Sequence, residues 1–380
     1  MSLTLLAFAI AMASRRKMSD WQKDFEKQFG KGVLVPASTL APREYRSSGS
    51  IALDVALGGG WPKRGIVQLF GKEGSGKTLL FDLAAVEAQK REGKRSLIFD
   101  FEGTYDTKRF EALGGNLEML DVITHDNFKP MLLLDPAFDM AKAILTSSDE
   151  YACMCFDSTG AMVTRDEFDK KMEKGQEASA PMLTAKAMSE GLRILIGLIA
   201  RNEVQPTVFF VSQGRDNIGV RVFNGMPPQD KQTGGRALAY YATTRVEVRK
   251  GELYKGDAEE LELKGIEVGH VTKVTVKKNK ANATQGRSAQ FDVYNLGEIV
   301  GLDRYAELAQ LSAYARVVER TGAWYVYGDQ KWQGQEKLKA ALLEDEALFE
   351  EIDAKTRAEL TRMMDLNRSE DDEEESDEAV

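Results

Sequence analysis

Eight consecutive residues, Gly71-Lys72-Glu73-Gly74-Ser75-Gly76-Lys77-Thr78, constrain this chain more than any other stretch. They match the spacing G-x-x-x-x-G-K-[ST]. Residues 66–70 ahead of them are apolar and of strand length. Residues 79–91 behind them are rich in Leu, Ala, Glu and Gln, which favour helix. Strand, glycine loop and helix form the context in which the spacing makes a phosphate-binding loop. The glycines permit backbone shapes that a Cβ forbids. Several N–H groups then turn inward as a nest for phosphate oxygens, at the positive end of a helix. Lys77 is placed to reach the β- and γ-phosphates, and Thr78 to offer its hydroxyl to Mg2+. The chain is therefore read as a nucleotide-binding protein, and the question becomes what the nucleotide drives.

The 380 residues suggest two or three domains, and 43% hydrophobic with 29% charged content supports a sizeable core. Cys153 and Cys155 flank one residue in an apolar run, so on a strand they face the same way, too close in sequence for an ordinary disulfide. No zinc spacing occurs, and a reducing compartment, the cytoplasm, is the simplest reading. The net charge of −9 is uneven: residues 369–380 carry eight acidic side chains, and without them it is −1. That pattern predicts an acidic tail and does not argue against a polyanionic partner. Residues 3–13 are apolar, end in a small-residue pattern and are followed by Arg15, Arg16 and Lys17. Eleven residues are too short for a membrane-spanning helix, and the basic residues follow where an export signal would have them precede. Residues 1–17 are read as an extension or a misassigned start, with Met18 as the alternative, and no membrane partner is expected.

From residue 18 to 29, Trp21, Phe25 and Phe29 recur at helical spacing. Val33-Leu34-Val35 is a short strand candidate stopped by Pro36, and residues 37–48 read as a linker. From 49 to 297 strands alternate with helices. Residues 66–70, 96–101, 151–156 and 207–212 are continuous apolar runs, as parallel strands covered on both faces are. Residues 244–250, 271–278 and 289–294 alternate and read as an antiparallel extension. Residues 298–366 read as a compact, mostly helical domain around the strand Trp324-Tyr325-Val326-Tyr327, and 367–380 as a disordered acidic tail. The fold class is α/β: a doubly wound, mostly parallel sheet with an antiparallel extension, an N-terminal helix-strand element and a small α+β C-terminal domain.

Strand 151–156 runs into Asp157, a position suited to holding Mg2+ through its water shell. Strand 96–101 ends beside Glu102, which can orient and activate an attacking water, because ligands of open α/β sheets lie beyond the carboxyl ends of the strands. Asp100 is a rival, on the same side but one pleat further inside. Strand 207–212 ends at Gln213, whose amide can change partners when a phosphate leaves.

With these residues in view the chain resembles the bacterial RecA recombinase family, including its phage-encoded relatives. Residues 48–58 resemble the family's lead-in to the phosphate loop. Phe99-Asp100-Phe101-Glu102 with Asp106 resembles its catalytic-glutamate strand, and 233–238 its glycine pair, Gly234 and Gly235. Lys278-Asn279-Lys280 resembles its lysine pair, and residues 27–32, 321–325 and 334–335 match its N- and C-terminal segments. The matches run colinearly from about 18 to 364.

The resemblance implies a P-loop, RecA-type core and a DNA-dependent ATPase using ATP and Mg2+. It implies a helical filament on single-stranded DNA that pairs with homologous duplex DNA and exchanges strands in recombination and repair. Single-strand-binding and mediator proteins would be further partners. By position it makes Glu102 the catalytic base, Asp157 the Mg2+ carboxylate, Gln213 the γ-phosphate sensor and Asp106 an adenine contact. An aromatic expected three positions after Asp106 is Arg109 here. The DNA loops fall near 167–179 and over 214–235. Expected DNA contacts are Lys186, Arg193, Arg215, Ile218, Arg221, Phe223, Gly234, Gly235 and Arg236, with cations tracking phosphates and apolar side chains wedging between bases. Lys278 and Lys280, on one face of a strand end, would cross to a neighbouring subunit's γ-phosphate. The helix at 18–29 and strand at 33–35 would dock on that neighbour.

Two other readings compete, a RecA-fold ATPase acting on protein partners and a hexameric helicase. The first has no reason for the glycine-pair loop, and the second lacks the N-terminal docking element and the Trp324 domain.

Overall fold

A computed structural model describes residues 19–174, 180–215, 231–232, 235–258, 263–295 and 300–377. Residues up to Glu44 and those from Tyr45 onward form two compact units. In the first, Asp20–Phe29 is a helix, opened by a capping box between Ser19 and Gln22. Its rings pack along one face, Trp21 edge-on to Phe25 and Phe25 tilted against Phe29 at 4.7 Å between centroids. Val33, Leu34 and Val35 are exposed and form no strand. Three β-prone residues make a strand only when another strand supplies the hydrogen-bonding edge.

The second unit is built on a ten-stranded sheet. Nine of its strands lie in the order Gly301–Leu302, Ser288–Tyr294, Leu263–Asn279, Thr244–Ala258, Gly65–Gly71, Thr207–Arg215, Tyr151–Asp157, Arg95–Asp100 and Leu120–Thr124. Lys231–Gln232 pairs separately with the end of Thr207–Arg215. From Thr244–Ala258 to Leu120–Thr124 neighbouring strands are parallel, and the other three continue antiparallel. The expected α/β sheet with an antiparallel extension is thus present. Thr244–Ala258 is the hinge between the two halves, parallel to Gly65–Gly71 and antiparallel to Leu263–Asn279.

Alternation along the strands feeds two cores. Val67, Leu69, Ile98, Cys155 and Phe209 pack with the helix Lys77–Glu92 on one face. Ile66, Leu97, Met154, Phe156 and Phe210 pack on the other with the helices Leu134–Ser147 and Ala180–Arg201. Cys153 and Cys155 are free, buried and on the same side, as their spacing predicts. Burial raises both thiols, which makes them poor nucleophiles.

Residues 45–48, part of the sequence-predicted linker, belong to the sheet unit. Tyr45–Arg46 pairs with Trp61–Pro62, and the buried Arg46 makes a fork to Glu92 at 2.6 and 2.9 Å. Within the same unit the helix Ile51–Leu57 links the sheet to a third core, where Ile51 packs with Leu308, Leu338, Phe349 and Ile352. The Glu307 carboxylate caps that helix, accepting from Ser50 Oγ at 2.5 Å and Ile51 N at 2.9 Å. The third core is closed by a three-stranded antiparallel sheet containing Trp324–Tyr327.

Arg357 is the central cation of this joint. It reaches Asp54 and both oxygens of Asp353, the latter at 2.8 and 2.9 Å. Arg357→Ala strands the buried Asp54 carboxylate without its counter-charge, a loss of about 3–5 kcal/mol. Urea unfolding measures this, and hydrogen exchange across residues 304–360 is expected to accelerate first. A loss under about 1 kcal/mol would mean the pair is as dispensable as a surface bridge.

The final helix, Glu346–Asp377, runs into the residues read from sequence as a disordered tail. No Gly or Pro interrupts it, and Glu favours helix. Among the described residues no helix is long and apolar enough to cross a membrane.

Candidate nucleotide site and cationic edge

The glycine loop leaves the end of Gly65–Gly71 and feeds the helix Lys77–Glu92. Two glycines are obligatory. A Cβ on Gly71 would lie 2.0 Å from the Val248 carbonyl oxygen, and Gly76 adopts φ +93°. Lys77 is buried and its Nζ donates to the Lys72 carbonyl at 2.7 Å. Burial pulls its ammonium below the ordinary lysine range, while Asp157, Glu102 and Glu73 hold it up.

Thr78 Oγ1 donates to Asp157 Oδ2 at 2.6 Å, joining the helix start to the end of Tyr151–Asp157. Burial pushes the Asp157 carboxyl up to about 6. The Thr78 hydrogen bond and Lys77 oppose that rise, and Glu102 and Asp100 add to it. A hydroxyl and an undercompensated carboxylate, both hard oxygen donors, fit a divalent cation such as Mg2+.

Asp100 is buried, and its oxygens accept from Glu102 N, Gly103 N and Tyr105 N at 3.1, 2.9 and 2.9 Å. It thereby shapes the loop that carries Glu102 and has little capacity left to accept a proton from water. Glu102 itself points into the cleft. Its Oε1 accepts from Ser158 Oγ, and from Gln213 Nε2 at 3.2 Å. Ser158 escaped the sequence reading, although its place directly after Asp157 was the available signal. Glu73, Lys77, Thr78, Glu102, Asp157 and Gln213 all line one cleft of about 130 Å³.

Asp106 stays outside that lining. It caps the helix Thr107–Ala112, accepting from Lys108 N at 3.0 Å and Arg109 N at 3.2 Å. Lys278 and Lys280 also lie away from the cleft of their own chain. Lys278 Nζ donates to the carbonyls of Ala239 and Tyr240 at 2.7 and 2.9 Å, at the end of the helix Gly235–Tyr241. Lys280 Nζ donates to Tyr240 at 3.2 Å and sits 5.4 Å from the centre of its ring, with Tyr240 itself 70% exposed. Arg245, opposite Lys278 in the strand register, adds a third positive charge. Burial, then Lys280 and Arg245, lowers the Lys278 ammonium to about 8.

The expected DNA contacts divide. Lys186 and Arg193 are exposed on Ala180–Arg201. Two helical turns separate them, so they share a face, with Glu190 between them. Arg215 ends its strand paired with Lys231, and Gly235 and Arg236 open a helix. Ile218, Arg221, Phe223 and Gly234 lie outside the described residues. The first expected loop, 167–179, is in part the helix Arg165–Lys174. The loop is expected from its place after Asp157 in the resemblance; residues 165–174 contain no Gly or Pro, and their Glu, Lys and Met favour helix.

Comparison with known proteins bears on the whole arrangement. The family model described as RecA N-terminal domain matches residues 16–299, and that described as RecA C-terminal domain matches 306–361. Protein RecA of Porphyromonas gingivalis is 36% identical over 336 residues, covering 87% of this chain and 90% of its own. The chromosomal Protein RecA of Lactococcus lactis is 35% identical, covering 87% of this chain and 80% of its own. Protein RecA of Streptococcus agalactiae is 34% identical, covering 90% and 85%.

Proposed function

We propose, for a chain that belongs to the RecA family, that it is a DNA-dependent ATPase that assembles as a filament on single-stranded DNA. In that state it pairs the strand with homologous duplex DNA and exchanges strands. The observation that carries this reading is the cluster Ser158–Glu102–Gln213, facing Lys77, Thr78 and Asp157 across one cleft. A cleft that only binds nucleotide needs no carboxylate beyond the phosphate end.

In this reading the glycine-loop N–H groups and Lys77 hold the phosphates of ATP. Thr78 and Asp157 would hold Mg2+, which supplies neutralisation of charge building on the phosphate oxygens. Glu102, oriented by Ser158, accepts the proton of the attacking water. Gln213 releases Glu102 and turns to the γ-phosphate. Lys278 and Lys280 contribute positive charge to the site of the next subunit, which their distance from their own cleft supports. Lys186, Arg193, Arg215, Ile218, Arg221, Phe223, Gly234, Gly235 and Arg236 supply DNA contacts. The helix Asp20–Phe29 and residues 33–35 dock on the neighbour, whose sheet would supply the edge that Val33–Val35 lacks. A cytoplasmic location and single-strand-binding or mediator partners follow the same reading.

The test is ATP hydrolysis with and without single-stranded DNA, followed by strand exchange between a single strand and its homologous duplex. DNA stimulation with exchange supports the proposal. Hydrolysis indifferent to DNA over a range of salt and protein concentrations would point to an ATPase acting on protein partners.

A further inference from the structure

Of the two histidines in the chain, His125 stands behind the wall of the cleft and has no part in the chemistry above. The strand Leu120–Thr124 runs parallel to Arg95–Asp100 until Thr124 lies opposite Asp100. There it becomes a single 3-10 turn, His125–Asn127, closed by a capping box between Thr124 and Asn127. The Phe101 carbonyl, one residue past the ladder, therefore meets a side chain in place of a strand N–H. His125 Nε2 supplies the donor at 2.8 Å. The other ring nitrogen, Nδ1, accepts from Leu132 N at 3.1 Å. A carbonyl can only accept and an amide N–H can only donate, so the proton sits on Nε2 and Nδ1 keeps its lone pair. Phe101 and Leu132 are both buried, in one core.

The ring reaches Glu102 through the backbone. Phe101 N donates to the Asp157 carbonyl at 2.7 Å, and Glu102 N donates to Asp100 Oδ1 at 3.1 Å. With His125 on the Phe101 carbonyl, the planar peptide joining Phe101 to Glu102 is held on both edges. That plane sets the direction in which the Glu102 side chain leaves the backbone. The Leu132 side of the ring leads elsewhere. Leu134 N donates to the Val163 carbonyl at 2.9 Å, and Arg165 N to Asp135 Oδ2 at 2.8 Å. Residues 163–165 lead into the helix Arg165–Lys174, which overlaps the first expected DNA loop.

We propose that His125 is a positioning residue for Glu102: it fixes the peptide that carries the carboxylate and ties that peptide to the root of the helix Arg165–Lys174. The proposal rests on the ATPase reading above. One rigid ring donates at one point and accepts at another, so it locates the two backbone segments relative to each other. A carboxylate that must meet an attacking water needs such support, because a misplacement of about 1 Å can cost about a hundredfold in rate. His125 is not among the residues that line the cleft, and it acts only through Glu102.

Steady-state ATP hydrolysis by the full chain on single-stranded DNA reads the effect. His125→Ala is expected to lower kcat about tenfold or more, with KM and ATP affinity within about threefold. His125→Gln, whose amide again offers a donor and an acceptor, recovers most of the loss. His125→Ala combined with Glu102→Gln is no slower than Glu102→Gln alone, because both act through one carboxylate. A rise in KM at unchanged kcat, His125→Gln as slow as His125→Ala, or losses that multiply in the double variant would each overturn the proposal. If His125→Ala fails to fold, His125→Phe keeps the bulk of the ring without its hydrogen bonds and decides in its place. Nitrogen-15 spectra of the two imidazoles test the geometry without hydrolysis. The signals lost in His125→Gln should be those of a ring protonated at Nε2 alone, and a ring exchanging between tautomers refutes the lock. If that signature holds while the wild type shows no DNA-stimulated hydrolysis, the ATPase reading fails and the positioning role fails with it.

Discussion

Glu102→Gln is expected to lower DNA-stimulated ATP turnover by about a hundredfold or more, the loss typical of removing a general base, while ATP binding stays within about threefold. The substitution keeps the shape and leaves an oxygen to accept from Ser158 and Gln213. What it removes is the capacity to take a proton. Asp100 cannot substitute, because three backbone N–H groups already occupy its oxygens. Steady-state hydrolysis alongside nucleotide binding reads both halves. Turnover within tenfold of wild type would remove Glu102 from the role of base.

Lys278→Ala is expected to cost about a hundredfold in the same turnover, the scale of losing one charge-stabilising donor, with nucleotide binding by the free subunit unchanged. Mixing tests whether the lysine acts across subunits. Lys278→Ala chains retain Glu102, and Glu102→Gln chains retain Lys278. Mixed on DNA, some junctions regain both, and part of the turnover returns. No recovery at any ratio would place the lysine's effect within its own chain. The pH dependence carries a sign. With its ammonium lowered to about 8, Lys278 is charged below that value and neutral above it. Turnover should decline as pH rises above about 8, the facing phosphate holding the ammonium charged to a higher pH than in the free subunit, and Lys278→Arg should move that decline further upward, because a guanidinium stays charged.

Much of this was legible in the residues. The strand, glycine loop and helix around Lys77 are local, and the motif carries its own geometry. The four central strands read as continuous apolar runs because both of their faces are covered. The edge strand Leu120–Thr124 did not stand out: it is half-exposed, and Asp121 serves an ion pair with Arg95. Asp100 and Glu102 were rivals in the sequence, and only the hydrogen bonds of the loop tell them apart. Ser158, Arg245 and the bridge made by His125 depend on residues brought together from distant positions, which no spacing rule reports. Val33–Val35 shows the converse. Its propensity is legible, but a strand is a property of a pair, and a single chain supplies half of one.

Gln213 donates to Glu102 from the strand position just before Gly214 and Arg215, which pair with Gln232 and Lys231. In the proposed function this is where residues that grip DNA begin. One amide is thus tied to the hydrolytic carboxylate on one side and to the DNA loop on the other. Thermodynamics then requires symmetry: whatever factor DNA adds to nucleotide affinity, nucleotide adds to DNA affinity. Gln213→Ala should shrink both factors together, and the chain would hold its strand and its fuel as two independent ligands.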